Sequence, residues 1–282
     1  MRWTPGGRSS DLEDERGGGG GGFSLGGGHI GLGGLLILLV LSFVFKKNFF
    51  TLLGTGGSGT ATSTEARPVN DPNEEPEVQF VSFVLDDTQK TWTGILQQKG
   101  VTYPHAKLVL FRQAVRSGCG VAESETGPFY CPADEKVYID LSFYDELKNR
   151  FGASGDFAQA YVLAHEIGHH VQNVLGIERK VHAAMENSPS QRNALSVRME
   201  LQADCFAGVW GHTTDQRNIL EAGEVQEALT AASAIGDDRL QKMSGRGVNP
   251  DTFTHGSSEQ RVHWFNEGFT KGTIEACNTF AQ

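Results

Sequence analysis

Positive charge is in short supply in this chain. Against 34 Asp and Glu it carries 24 Lys and Arg, a formal net charge of −10. That balance argues against nucleic acid as a partner, because phosphate backbones are held by lysine and arginine. Cysteine is scarce as well, with four in 282 residues. None sits in a close pair, which argues against a structural Cys₄ zinc site. Long apolar runs are nearly missing, and only 23–45 approaches one. Glycine is plentiful at 36 residues, but much of it falls in the first sixty positions. The length leaves room for one substantial domain plus a tail, or for two small domains.

Residues 1–22 are a polar head ending in Gly17 to Gly22, expected to be disordered because they cannot bury a core. Residues 23–45 end in Ile37-Leu38-Leu39-Val40-Leu41-Ser42-Phe43-Val44-Phe45 before Lys46-Lys47, and predict a single-pass transmembrane anchor in the lipid bilayer. A signal peptide is disfavoured because the apolar run starts late and no clean small-residue cleavage site follows it. The polar flanks disfavour a buried core helix. Charge leaves topology open: Lys46 and Lys47 favour a cytoplasmic end there, while Arg2, Arg8 and Arg16 favour the other. Residues 46–77 turn Gly/Ser/Thr-rich and then Pro- and acid-rich, which reads as a linker.

The folded domain is expected over 78–282, with an α+β, mainly helical architecture and a small sheet. Val81, Val84, Leu85, Trp92, Ile95 and Leu96 recur at helical spacing. Lys107–Phe111 and Lys136–Leu141 predict strands, 119–131 a loop, and Phe143–Phe151 a helix capped by Ser142. Ser154 or Asp156 is expected to cap a helix that Gly176 ends. Further helices are expected over Gln191–Trp210, Glu221–Ile235 and after Arg261. Residues 177–190 and 239–250 read as a loop and a turn region.

The helix before Gly176 contains His165-Glu166-Ile167-Gly168-His169. Residues four apart share a helix face, so His165 and His169 can reach one metal ion. Glu166 projects about 100° round the helix from His165, placed to serve a metal-activated water. By itself the pattern also describes two surface histidines beside a solvated Glu. Here no proline interrupts it, its flanks are apolar, and a third ligand follows. Catalytic zinc typically takes three protein ligands and keeps a position open. Glu200 and Asp204 lie four apart in a mostly apolar stretch, Leu201 to Ala207. Glu200 is the candidate third ligand, and Asp204 can accept a hydrogen bond from the free nitrogen of a ligand histidine.

Together, Gly127-Pro128-Phe129-Tyr130-Cys131-Pro132, Val137 to Leu141, His165 to His170 and Glu200 to Gly208 resemble the bacterial neutral zinc metallopeptidase family. The resemblance runs from Arg2-Trp3 nearly to the C-terminus. The ligand order is also similar to that of thermolysin-like peptidases. It implies a zincin-like domain binding one Zn²⁺ through His165, His169 and Glu200, with Glu166 as general base and Asp204 supporting a ligand. It implies hydrolysis of a protein or peptide substrate. With the cysteine pattern, it favours a bacterial membrane protein whose C-terminal domain lies outside the cytoplasm.

Three further expectations concern the surroundings of this centre. An oxyanion needs a donor, and His255 or Arg261 could supply it, with Tyr161 and Tyr144 as weaker rivals. Val137 to Asp140 could be an edge strand that holds substrate by main-chain pairing, or an ordinary core strand. Cys119 and Cys131 flank a short loop, which favours a bridge there and leaves Cys205 with Cys277; four reduced thiols are the alternative. His29, His105, His182, His212 and His263 read as structural or surface groups, and His170 as turned about 140° from the ligand face. The rival to an enzyme is a non-catalytic zinc-binding interaction protein of the cell envelope, with a fourth protein ligand blocking the water position.

Overall fold

The computed structural model describes residues 1–17, 72–124, 127–245 and 247–281. The expected membrane segment 23–45 and most of the linker fall outside them. Among the described residues no helix is long and apolar enough to cross a membrane.

The N-terminal head is not disordered over its described part. Met1–Gly17 forms one compact unit with the residues from Pro68 onward. Strand β1 (Leu12–Asp14) pairs in parallel with β2 (Lys107–Phe111), Leu12 opposite Leu108. Trp3 packs on Phe80 at 5.3 Å between ring centroids, and the Arg2 amide donates to the Ile219 carbonyl. Arg16 reaches Asp14 and Glu74, each at 2.6 Å, and Arg8 reaches Glu75 at 2.6 Å. The head carries too little apolar surface for its own core, so it borrows one from the domain.

The linker also ends earlier than expected. Helix α1 (Glu75–Gln98) starts before position 78, with Pro76 in its first turn, where its missing N–H costs nothing. Its buried stripe is Val78, Val81, Val84, Leu85, Trp92 and Leu96. Strand β2 is followed by a hairpin, β3 (Ala114–Ser117) and β4 (Gly120–Glu123), then by β5 (Phe129–Cys131) and β6 (Lys136–Asp140). The region read as a loop, 119–131, therefore contains strand residues. The main sheet runs β1-β2-β6-β5, with β5 antiparallel to β6 at its edge. Leu108, Leu110, Val137 and Ile139 face the main helical core, while Val109, Phe111 and Tyr138 face a small cluster with Val115 and Cys131.

The helices then follow: α2 (Ser142–Asn149), α3 (Asp156–Val174), α4 (Ile177–Asn187), α5 (Arg192–Gln216), α6 (Glu224–Ala234), α7 (Asp237–Met243) and α8 (Ser258–Lys271). Helix α4 replaces the loop expected over 177–190, and α7 part of the turn region. Ser142 does not cap α2; it is the first helical residue, and its amide donates to Asp140. Neither Ser154 nor Asp156 caps α3, which starts after Gly155. Helix α3 is buried nearly throughout, with α1, α5 and α6 packed around it. Phe157, Trp210, Phe206 and Trp92 fill the space between them.

The cysteines form two disulfides, Cys119–Cys131 and Cys205–Cys277. The first joins the hairpin to β5. The second ties α5 to a 3₁₀ turn, Ile274–Cys277, after α8.

Candidate metal centre

Helices α3 and α5 meet at Gly168. A Cβ there would stand 3.0 Å from the Ala203 carbonyl oxygen, so a bare α-carbon is what lets the two backbones come this close. The approach brings ligands from both helices to one point. His165 Nε2 lies 3.3 Å from Glu200 Oε2, and His169 Nε2 lies 3.5 Å from Glu200 Oε1. One ligand atom from each of the three residues falls within 4.8 Å of the others. Zinc bonds of about 2.0–2.2 Å at tetrahedral angles set neighbouring ligand atoms roughly 3.3–3.6 Å apart. The donor set and its spacing therefore fit Zn²⁺. Among the described residues it is the one such cluster.

Behind the ligands the polar groups are saturated. Asp204, fully buried, accepts from His165 Nδ1 at 2.8 Å, from the Tyr161 hydroxyl at 2.5 Å, and from Arg261 Nε and Nη2 at 2.8 and 2.9 Å. A carboxylate can only accept, so Nδ1 carries the hydrogen and Nε2 is left to face the cluster. Arg261 arrives on α8, which crosses α5 where two glycines touch. A Cβ on Gly268 would fall 1.9 Å from the Cys205 carbonyl oxygen, and one on Gly208 2.1 Å from that of Phe265.

His169 is held in the same way by neutral groups. Its Nδ1 donates to Gln172 Oε1 at 2.9 Å. The Gln172 amide nitrogen donates to the Met199 carbonyl at 2.8 Å and to Gln202 Oε1 at 3.2 Å, which fixes which end of the amide faces the histidine. Gln202 in turn donates to the Cys277 carbonyl at 2.8 Å, so the relay ends at the disulfide.

The charges follow from this arrangement. Burial works against a charged His165, but the Asp204 carboxylate, helped by Glu200, outweighs it and raises the ring's pKa. Burial also opposes ionised Glu200 and Asp204. The His169 and His165 imidazoles hold Glu200 well below the carboxylate range, and Arg261 with His165 does the same for Asp204.

In front of the ligands opens a cleft of about 680 Å³. Glu166 lines it beside both imidazoles, together with Phe129 and Tyr130 of β5 and with His255. His255 is half exposed, and its Nδ1 lies 3.2 Å from Asp237 Oδ1. Asp237 also accepts the amides of Thr254, His255 and Gly256, which pins the loop that presents the imidazole. The hydrogen bond to Asp237 raises the pKa of His255 against the effect of burial, and the Glu200 charge adds to the rise.

A family model described as "Putative neutral zinc metallopeptidase" matches residues 1–280. The chain belongs to that family. It is 49% identical over 290 residues to "Uncharacterized protein YpfJ" of Escherichia coli K12, covering 100% of this chain and 99% of that protein. To "Uncharacterized protein Rv2575" of Mycobacterium tuberculosis H37Rv it is 43% identical over 201 residues, 67% of this chain and 66% of that protein. No solved structure matches it.

Within this member of the family, the structure brings His165, His169, Glu200, Glu166 and His255 around one cleft, with Asp204 buried behind His165. Arg261 also lines the cleft, but it is 2% exposed and its Nε and Nη2 are bonded to Asp204 and Tyr161. Tyr161 is turned the same way, and Tyr144 is buried in the core. His170 is buried as expected, between the Tyr130 hydroxyl and the Pro104 carbonyl. Strand β6 is paired along its length by β2 and over Lys136–Tyr138 also by β5, so Val137 and Tyr138 are not an open edge for a substrate strand. The edge beside the cleft is β5. Gln172 and Gln202 were missed by the sequence reading, although position 172 is one helical turn past His169 and pointed there.

Proposed function

We propose that this chain is a zinc-dependent peptidase whose centre is His165, His169 and Glu200. The convergence of those three ligand atoms, from two helices, beside a cleft that Glu166 lines, carries the reading. When bound, zinc would act as a Lewis acid, activating a water and polarising the scissile carbonyl. Glu166 takes the proton from the attacking water and returns it to the leaving amine. Protonated His255, held by Asp237, donates to the oxyanion that develops on the carbonyl. Asp204, Tyr161 and Arg261 keep His165 in the tautomer a ligand needs, and Gln172 does so for His169. Strand β5 offers main-chain groups to an extended peptide along the cleft. The ligand order, His-Glu-x-x-His before a Glu, supports a thermolysin-like arrangement.

The two disulfides support a place outside the cytoplasm, since such bonds persist in oxidising compartments. The rival, a zinc-binding envelope protein without activity, calls for a fourth protein ligand. The cluster of His, Cys, Asp and Glu among the described residues has three members.

Metal quantification and a peptide-library cleavage assay on the wild type and Glu166→Gln test the reading. The variant is expected to keep one zinc per chain and to lose on the order of 10²–10⁴-fold in cleavage rate. A variant as active as the wild type would take Glu166 out of the mechanism. A wild type that binds no zinc would remove the whole assignment.

A further inference from the structure

The head of the chain and the metallopeptidase domain are one folded body, although the segment between them holds the longest apolar run in the sequence. Strand β1 is the outer strand of the main sheet and takes its register from β2. Ser9 donates to Asp86 at 2.5 Å, and Lys107 donates to the Ser10 carbonyl and to Asp11 at 3.1 and 2.7 Å. At the last residues of the head, Arg16 is 1% exposed and meets Glu74 at the start of α1. The two ends of the stretch 18–71 are therefore held within one ion pair of each other.

A single crossing of a bilayer puts the residues before it and after it on opposite faces, separated by about 30 Å of hydrocarbon. Two groups 2.6 Å apart cannot be so divided. A return crossing would need a second run of about 20 apolar residues, and 46–71 contains none: it has Lys46, Lys47, Asn48 and then mostly Gly, Ser, Thr, Pro and acidic residues after Leu53. The arginines of the head also lose their value as topology signals. Arg8 and Arg16 are committed to Asp14, Glu74 and Glu75 within the fold, and are not a free cationic flank facing lipid headgroups.

We infer that the N-terminal head lies on the same side of the membrane as the metallopeptidase domain, so that the chain is not a single-pass protein. This inference rests on the docking of the head and not on zinc or on catalysis, so it stands or falls independently of the peptidase reading.

Cysteine accessibility in the full-length protein tests it. All four native cysteines are in disulfides, so the wild type gives no thiol label. Thr4→Cys adds an exposed thiol to the head, and Met243→Cys adds one to the domain, where Met243 is 44% exposed. Each variant is treated with a membrane-impermeant maleimide in bacterial spheroplasts, before and after lysis. The expected result is the same pattern for both thiols, with no gain for one alone on lysis. Labelling of Met243→Cys in intact spheroplasts, with Thr4→Cys labelled only after lysis, or the reverse, would overturn the inference. Ser10→Cys, also exposed, repeats the head measurement, so that one misfolded variant cannot decide the outcome.

Discussion

The two sides of the metal centre are built on opposite terms. At the rear, Asp204, Tyr161, Arg261, Gln172 and Gln202 are buried and bonded to one another or to main-chain carbonyls. In front, Glu166 and His255 line a cleft, and the half-exposed His255 is tethered to Asp237 through one ring nitrogen. Ligands must be fixed before a metal arrives, so the rear gives up solvent and mobility. The front is less closed: His255 is half exposed, although Glu166 is only 8% exposed and Asp237 holds the His255 loop. A buried ion pair is costly to form and more costly to break, and here it is used where nothing needs to move.

This contrast can be broken at the rear first. Arg261→Met would leave the Asp204 carboxylate buried without its main charge partner. The expected loss of stability is about 3–5 kcal/mol, read from urea unfolding with metal removed. Unchanged stability would mean that Asp204 is satisfied without Arg261. Gln172→Leu is expected to cost less, about 10–100-fold in zinc affinity by chelator competition. Gln172→Glu keeps an acceptor for His169 Nδ1 but loses the bonds donated to the Met199 carbonyl and Gln202 Oε1, so it should recover only part of that loss. Equal affinity in both variants would show that the relay to Cys277 is packing alone.

The smallest effect is expected in front and concerns pH. Asp237 raises the pKa of His255 above its ordinary 6.5. If the protonated ring assists the reaction, kcat/KM should fall as pH rises through that raised pKa. Asp237→Asn lowers the pKa, so the alkaline fall should move to lower pH, with the acidic side of the profile unchanged. An unmoved alkaline limb would exclude His255 as the donor.

What could be read from the sequence was local. His165, Glu166 and His169 are one helical turn, and Glu200 with Asp204 another, so periodicity alone placed each set on a face. What could not be read depended on distant partners. Arg261 looked like a free donor because Asp204, which claims it, lies 57 residues earlier. The head looked disordered because its apolar contacts belong to α1 and β2, beyond a glycine-rich stretch. Strands β3 and β4 have only Val115 buried, and α4 only Val181, so neither shows an alternation or stripe that a pattern could detect. Strand β6 suggested a substrate-binding edge because it lies just upstream of the helix carrying His165. Its neighbour β5 is three residues long, too short to declare itself, and it took the edge instead.

Where α8 passes over α5, main chain rests on main chain at positions 208 and 268, with no side chain between them to compress. The crossing works as a mechanical stop: it sets the depth and the rotation at which the guanidinium of the later helix is presented to the carboxylate of the earlier one. Adjustment by repacking is ruled out at that point. The support beneath His165, the proposed zinc ligand, is thus dimensioned by the backbone, and even one added methyl group at either glycine would be transmitted directly to it.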